Sequence, residues 1–238
     1  MSEFPIIFGF AAAMAHVLSG PDHLAAVAPL ALNTKFRPWI IGMAWGIGHL
    51  TGMLLLGVLF FFFKEIIPIE FISSYSERIV GFLLIAIGLW SILRLFKHNW
   101  KRKHSHLHAH LDDKGQVVVH QHGHDHSNTK KHEHTHEELA HQTYWAAMSI
   151  GILHGLAGFS HILHMLPTLA FPTKLDSGLY LLGFGGGTIF GMVLFSFILG
   201  LIANYSKQGK KDTIYQSINA LAGFAAICIG FYWLWITW

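Results

Sequence analysis

The chain has 238 residues, of which 53% are hydrophobic and 12% charged. A soluble domain carries about 25% charged residues, so half of the usual solvating surface is missing and no separate soluble enzyme domain fits. The single Cys228 excludes an intrachain disulfide, and the net charge of +3 reflects where lysines and arginines sit rather than a nucleic-acid partner.

Apolar runs fall at 5–32, 39–63, 79–96, 145–170, 178–203 and 216–237. Each supplies the roughly 20 apolar residues needed to cross a bilayer core. The expected fold is therefore an all-α polytopic membrane protein of six transmembrane helices. The N-terminus "MSEFPIIFGF" has no Lys or Arg ahead of the first run. A signal peptide needs a basic n-region, so the first segment is expected to stay.

The first run contains "AHVLSGPDHLAAVAP" (15–29), where His16, Asp22 and His23 interrupt apolar sequence around Gly20-Pro21. Proline removes an i→i−4 hydrogen bond and clashes with the preceding turn. Such a break persists at membrane depth only where protein or a watery cavity satisfies the freed backbone. Asp22 is the only acidic residue inside any predicted span, and an ionisable residue at that depth is a functional candidate by default. His16 and His23 are seven residues apart, about 10 Å along a continuous helix at 1.5 Å per residue; unwinding at Gly20-Pro21 would bring them closer. The bland readings are an N-cap for Asp22 and interhelical hydrogen bonding for the histidines.

The second run brings His49 in the glycine-rich "GIGHLTGM" (46–53), and the third reads "VGFLLIAIGLW" (80–90). Next comes a connection over 97–143 crowded with histidine as His-x-His: His104, His106, His108 and His110; His120, His122, His124 and His126; His132, His134 and His136. This composition binds borderline divalent metals. Alternation suits a strand with one histidine face, and the intervening Asp-Asp-Lys-Gly reads as a turn. A small β-hairpin and a disordered tract are both open.

The second half repeats the first. "HVLSGPDHLAAVAPLAL" (16–32) aligns without gaps on "HGLAGFSHILHMLPTLA" (154–170), placing His16 on His154, His23 on His161 and Pro29 on Pro167, with His164 nearby. "GIGHLTGM" matches "GGGTIFGM" (185–192) with one residue of slippage, and "VGFLLIAIGLW" matches "AGFAAICIGFY" (222–232). Three helices per repeat insert with opposite orientations, the inverted-repeat plan of many secondary transporters, whose site lies near midplane where broken helices meet. The domains are thus 1–96, the first three-helix repeat; 97–143, the His-rich loop; and 144–238, the second repeat. Gly155 and Gly158 replace the Gly-Pro pair, predicting a softer second break. The Gly-rich 183–191 stretch reads as close helix packing.

Basic residues crowd the connections 33–38, 94–143 and 204–215, while the alternate connections hold only Lys64, Arg78 and Lys174. By the positive-inside rule the crowded set is cytoplasmic and both termini lie outside, as in a bacterial-type inner (plasma) membrane.

These residues resemble the nickel/cobalt transporter superfamily, most closely its compact six-helix members related to urease accessory permeases. The likeness lies in the His and Asp-His signature of the first helix, the six-helix core and the His-rich loop. It implies transport of Ni²⁺ or Co²⁺, with Zn²⁺ also suited, and His16, Asp22 and His23 as ligands. One departure is that five residues, not the importers' usual four, separate His16 from Asp22. The expected metal site comprises His16, Asp22, His23, His49, His154 and His161, with His164 flanking it. No resident cofactor is implied. The partners are the divalent ion, the lipid bilayer and a cytoplasmic metal acceptor. Uptake ranks ahead of efflux, which also occurs among members with His-rich loops. The alternatives are a metal-sensing membrane protein and an intramembrane di-metal oxidase using His154, His161 and His164.

Overall fold

The computed structural model describes residues 4–34, 37–63, 69–101, 105–111, 117–123, 137–157, 167–208 and 212–238. The helices are α1 (Phe4–Ser19), α2 (Pro21–Asn33), α3 (Pro38–Phe63) and α4 (Ile69–Lys101), followed after a hairpin by α5 (Glu137–Leu156), α6 (Pro167–Ala170), α7 (Lys174–Gln208) and α8 (Asp212–Thr237). Four segments are long and apolar enough to cross a bilayer: Pro38–Leu59, Ser74–Phe96, Lys174–Ser206 and Thr213–Thr237. The α1–α2 pair makes a fifth, bent by 73°. Thus four or five candidate spans stand among the described residues where the apolar runs predicted six. The difference falls at 145–170, which appears as the end of α5 and the short α6, with 158–166 outside the described residues.

The bend in the first span follows from its sequence. The Gly20 N–H still donates to the His16 carbonyl at 3.0 Å, closing α1, and Pro21 then opens α2, where its missing N–H costs nothing. Eleven of the 13 residues of α2 are buried. This helix touches α1, α3, α4, α5, α7 and α8, so the molecule is built around it. Its small residues, Ala25, Ala26, Ala28 and Ala31, let so many neighbours approach.

Lipid tails are as apolar as leucine, so burial gives little drive for helix association in a membrane; close packing of small residues supplies it. That is how the outer helices meet: α1 lies along α7, α3 along α5 and α7, and α4 along α8. A Cβ on Gly48 would strike the Met148 carbonyl, and one on Gly151 the Trp45 carbonyl, across the α3–α5 contact. Gly183 and Gly187 also sit close to the α1 backbone, at Ile6 and Phe10. In α4 and α8, Gly81 faces Gly230 and Gly88 faces Gly223. The outward surface is correspondingly apolar, with Phe4, Phe62, Phe82, Leu182, Phe224 and Trp235 exposed.

At the C-terminal end of α2, buried polar side chains pair across helices. Asn33 Nδ2 donates to Asn219 Oδ1 at 2.9 Å, and Asn219 Nδ2 returns a bond to Asn33 Oδ1 at 3.1 Å. Ser91 donates to Asn219 Oδ1 at 2.7 Å. These bonds tie the C-terminal end of α2 to α4 and α8. Each such interhelical bond contributes on the order of 0.6 kcal/mol.

Between α4 and α5, β1 (Ser105–Leu111) pairs antiparallel with β2 (Val117–Gly123). His106 stands opposite His122 and His108 opposite His120, while His110 faces Val118. Chain register therefore brings histidines from both strands level with one another. His104, His124, His126, His132, His134 and His136 lie outside the described residues.

Candidate metal site

The break between α1 and α2 positions the first ligands. His16 closes the last turn of α1, and Asp22 and His23 open the first turn of α2. The 73° bend folds these two turns toward each other, so the His16 and His23 ring centroids are 4.6 Å apart. A continuous helix would have held them about 10 Å apart along its axis. Position 20 must be glycine for this to work. A Cβ there would strike His23 Nδ1 and approach Asp22 Oδ1 to 3.0 Å.

Asp22 is not the N-cap. Gly20 holds that position and provides no side-chain capping bond. The carboxylate faces inward instead. His23 Nδ1–H donates to Oδ1 and His154 Nε2–H donates to Oδ2, each at 3.0 Å. A carboxylate in the first turn also lies at the positive end of the α2 dipole, which favours its charge.

The other ligands come from α3 and α5. His49 lies 5.1 Å from His23 and 6.0 Å from His16, between ring centroids. His154 lies 4.8 Å from His23. Both depend on the close α3–α5 contact, in which a Cβ on Gly155 would strike the His49 carbonyl and one on Gly52 the Ile152 carbonyl. His16, Asp22, His23, His49 and His154 are all buried, none more than 7% exposed.

Two three-ligand groups result, His16/His23/His49 and Asp22/His23/His154, each with one ligand atom per residue and all three atoms within 4.8 Å of one another. Two metal–imidazole bonds of about 2.1 Å span at most about 4.2 Å, so side-chain shifts below about 1 Å would close either group on an ion. Neutral imidazoles with one carboxylate suit Ni, Co, Cu, Zn or Fe and are poor in the oxygen ligands that Ca and Mg demand.

Of the residues singled out from sequence, the structure brings together His16, Asp22, His23, His49 and His154. His161 and His164 lie outside the described residues. One site residue escaped the sequence reading. Trp45, fully buried, stacks on His49 at 4.8 Å with the rings 10° from parallel, and packs against His23 and His154 at 5.4 Å each. The available signal was its spacing, one helical turn before His49 on the same face of α3. Phe184 of α7 covers the His16 side at 5.9 Å. Beside Asp22 opens a cavity of about 370 Å³, lined by Pro21, Asp22, Cys228, Ile229, Tyr232 and Trp233.

Comparison with known proteins agrees with the membrane architecture. Urease accessory protein UreH of Bacillus sp. (strain TB-90) is 29% identical over 96% of this chain and 90% of its own length, in line with the resemblance to urease accessory permeases. Two Arabidopsis thaliana proteins, Chloroplast protein FOR GROWTH AND FERTILITY 2 and FOR GROWTH AND FERTILITY 1, are each 29% identical over 93% of the chain. The chain spans about half of their length, 54% and 56%. No solved structure matches it. The apolar helices and the family match make the chain an integral membrane protein. The family model for the cytochrome c biogenesis protein transmembrane region matches residues 7–232, nearly the whole chain, and the protein belongs to that family.

Proposed function

We propose that the protein carries a divalent transition-metal ion, Ni²⁺ first and Co²⁺ second, across a cell membrane through the buried His/Asp cluster. The observation that carries this reading is the convergence of His16, Asp22, His23, His49 and His154 from three separate stretches of chain onto a broken span. A structural role alone does not call for four imidazoles around one carboxylate. Neutral imidazoles are exchangeable ligands, which a carrier needs because it must also release its cargo. Asp22 offsets part of the ion's charge. The relation to a urease accessory protein, together with the resemblance to nickel/cobalt transporters, favours nickel and favours uptake.

The helix contacts support an inverted repeat. Gly48 abuts the Met148 carbonyl and Gly187 the Phe10 carbonyl, and these are equivalent positions when His16 is set on His154 and Gly48 on Gly187. Likewise Gly52 abuts Ile152, and Gly191 abuts Met14. The crossed pairs Gly81–Gly230 and Gly88–Gly223 exchange equivalent residues of α4 and α8. Reciprocity of this kind is what a two-fold axis in the membrane plane requires. Under this reading α1–α2, α3 and α4 form one repeat, α5–α6, α7 and α8 the other, and the His-rich hairpin lies on the cytoplasmic side with the basic connections.

Purified protein in liposomes, supplied externally with Ni²⁺, Co²⁺, Zn²⁺, Mn²⁺ or Fe²⁺ and assayed for ion accumulated inside, tests the proposal. Faster entry of Ni²⁺ or Co²⁺ than into empty liposomes, abolished by His23→Ala in folded protein, is expected. Accumulation of none of the five ions would refute it.

A further inference from the structure

The cluster holds two ligand groups, not one, and His23 belongs to both. We propose that a single divalent ion occupies two alternative positions, Asp22/His23/His154 and His16/His23/His49, and passes between them by exchanging ligands around His23. This rests on the transport reading and adds a path through the site.

Three observations carry it. The first is electrostatic. The cluster has one carboxylate and four imidazoles, all buried. Two divalent ions a few ångströms apart, sharing one ligand residue and offset by a single negative charge, would repel strongly where solvent screens little. One ion at a time is the stable occupancy.

The second is the hydrogen bonding. A carboxylate only accepts, so His23 donates through Nδ1 and His154 through Nε2 to the two oxygens of Asp22. A neutral imidazole that donates from Nδ1 carries its lone pair on Nε2. With the Asp22 bonds in place, His23 therefore serves the three-histidine position through Nε2, with Asp22 as the carboxylate that orients it from behind. With an ion on Asp22, those two bonds open: His23 moves its proton from Nδ1 to Nε2 and His154 from Nε2 to Nδ1, so that the nitrogens facing Asp22 carry the lone pairs that bind the metal. The ligands cannot satisfy both positions together, which makes them alternatives.

The third is access. The cavity beside the cluster touches Asp22 and none of the four histidines. Of the two groups, only Asp22/His23/His154 has a member bordering this cavity, so an ion entering from it is offered that position first. The three-histidine position is covered by Phe184 against His16 and by Trp45 against His23 and His49. The order of handover is thus carboxylate group first, imidazole group second, for an ion entering from the cavity.

Co²⁺ binding to the detergent-solubilised full chain separates this arrangement from a single five-ligand site. The variants are His49→Phe, which disables one position, His154→Phe, which disables the other, and the double variant. Phenylalanine keeps a ring in each space. His49→Gln and His154→Gln serve if either ring variant fails to give a monodisperse protein with cooperative thermal unfolding. Two parallel positions of similar affinity predict one Co²⁺ per chain and a loss of only about twofold in each single variant. They also predict a double-variant loss far larger than the product of the two single losses, because only then is no complete group left. Two Co²⁺ per wild-type chain, or a double-variant loss no larger than that product, would overturn the proposal. Liposome uptake is scored separately. The binding pattern without any uptake would sink the transport reading and leave the two positions standing; uptake with multiplicative losses would do the reverse.

Discussion

Replacing Asp22 with Asn preserves volume and shape while removing the one negative charge in the cluster. Asp22 accepts two bonds of 3.0 Å, from His23 and His154. Charge-assisted bonds contribute about 1.5–3 kcal/mol and neutral ones about 0.5–1.5, so once one histidine switches tautomer to accept from the amide nitrogen, downgrading both costs roughly 2 kcal/mol in total. The lower burial penalty of an amide offsets part of that, and the folded protein should survive with a modest fall in thermal stability. Metal binding should suffer more. Removing a carboxylate that orients a single metal-bound histidine typically costs 10–100-fold in affinity. Asp22 holds two histidines and supplies the charge as well, so a loss of about 100-fold is expected, close to 2.8 kcal/mol at 1.4 kcal/mol per decade. Titration with Ni²⁺ and initial uptake rates measure the two consequences separately. Affinity and uptake within threefold of wild type, in a folded variant, would refute the electrostatic role given to Asp22.

Gly20→Ala should impair metal binding without dissolving the helices, because the added Cβ meets His23 Nδ1 and Asp22 Oδ1 rather than a backbone. A fall of at least tenfold in affinity is expected, and wild-type affinity would mean that the cluster can move aside freely. Deleting 104–136 should slow uptake or blunt its regulation while leaving the core folded; complete loss of transport by a well-folded deletion would instead place the loop in the pathway. Free imidazoles titrate near pH 6.5, and a metal competes only for the neutral form. Binding to the loop, measured as the difference between full-length and deleted protein, should therefore weaken as pH falls below about 6. A loop contribution independent of pH between 5 and 7.5 would exclude imidazole ligation there.

Much of the membrane architecture is legible in the sequence, because it depends on local properties. Apolar length is counted along the chain, and Gly20-Pro21 breaks a helix wherever that helix sits. The grouping of His16, Asp22 and His23 follows from the same eight-residue stretch. What the sequence could not decide is what those residues face. Asp22 reads equally as a cap or a ligand until His154, 132 residues away, is seen to hold its second oxygen. His49 and His154 reach the cluster because α3 and α5 approach through Gly48, Gly52, Gly151 and Gly155, positions that announce close packing by having no side chain but do not name the partner helix. Trp45 enters the site for the same reason, carried in on the helix that carries His49. Spacing and composition are one-dimensional and determine which segments can bury or break. Which of the buried groups touch is settled by the backbone contacts between distant segments, and those exist only in the folded bundle.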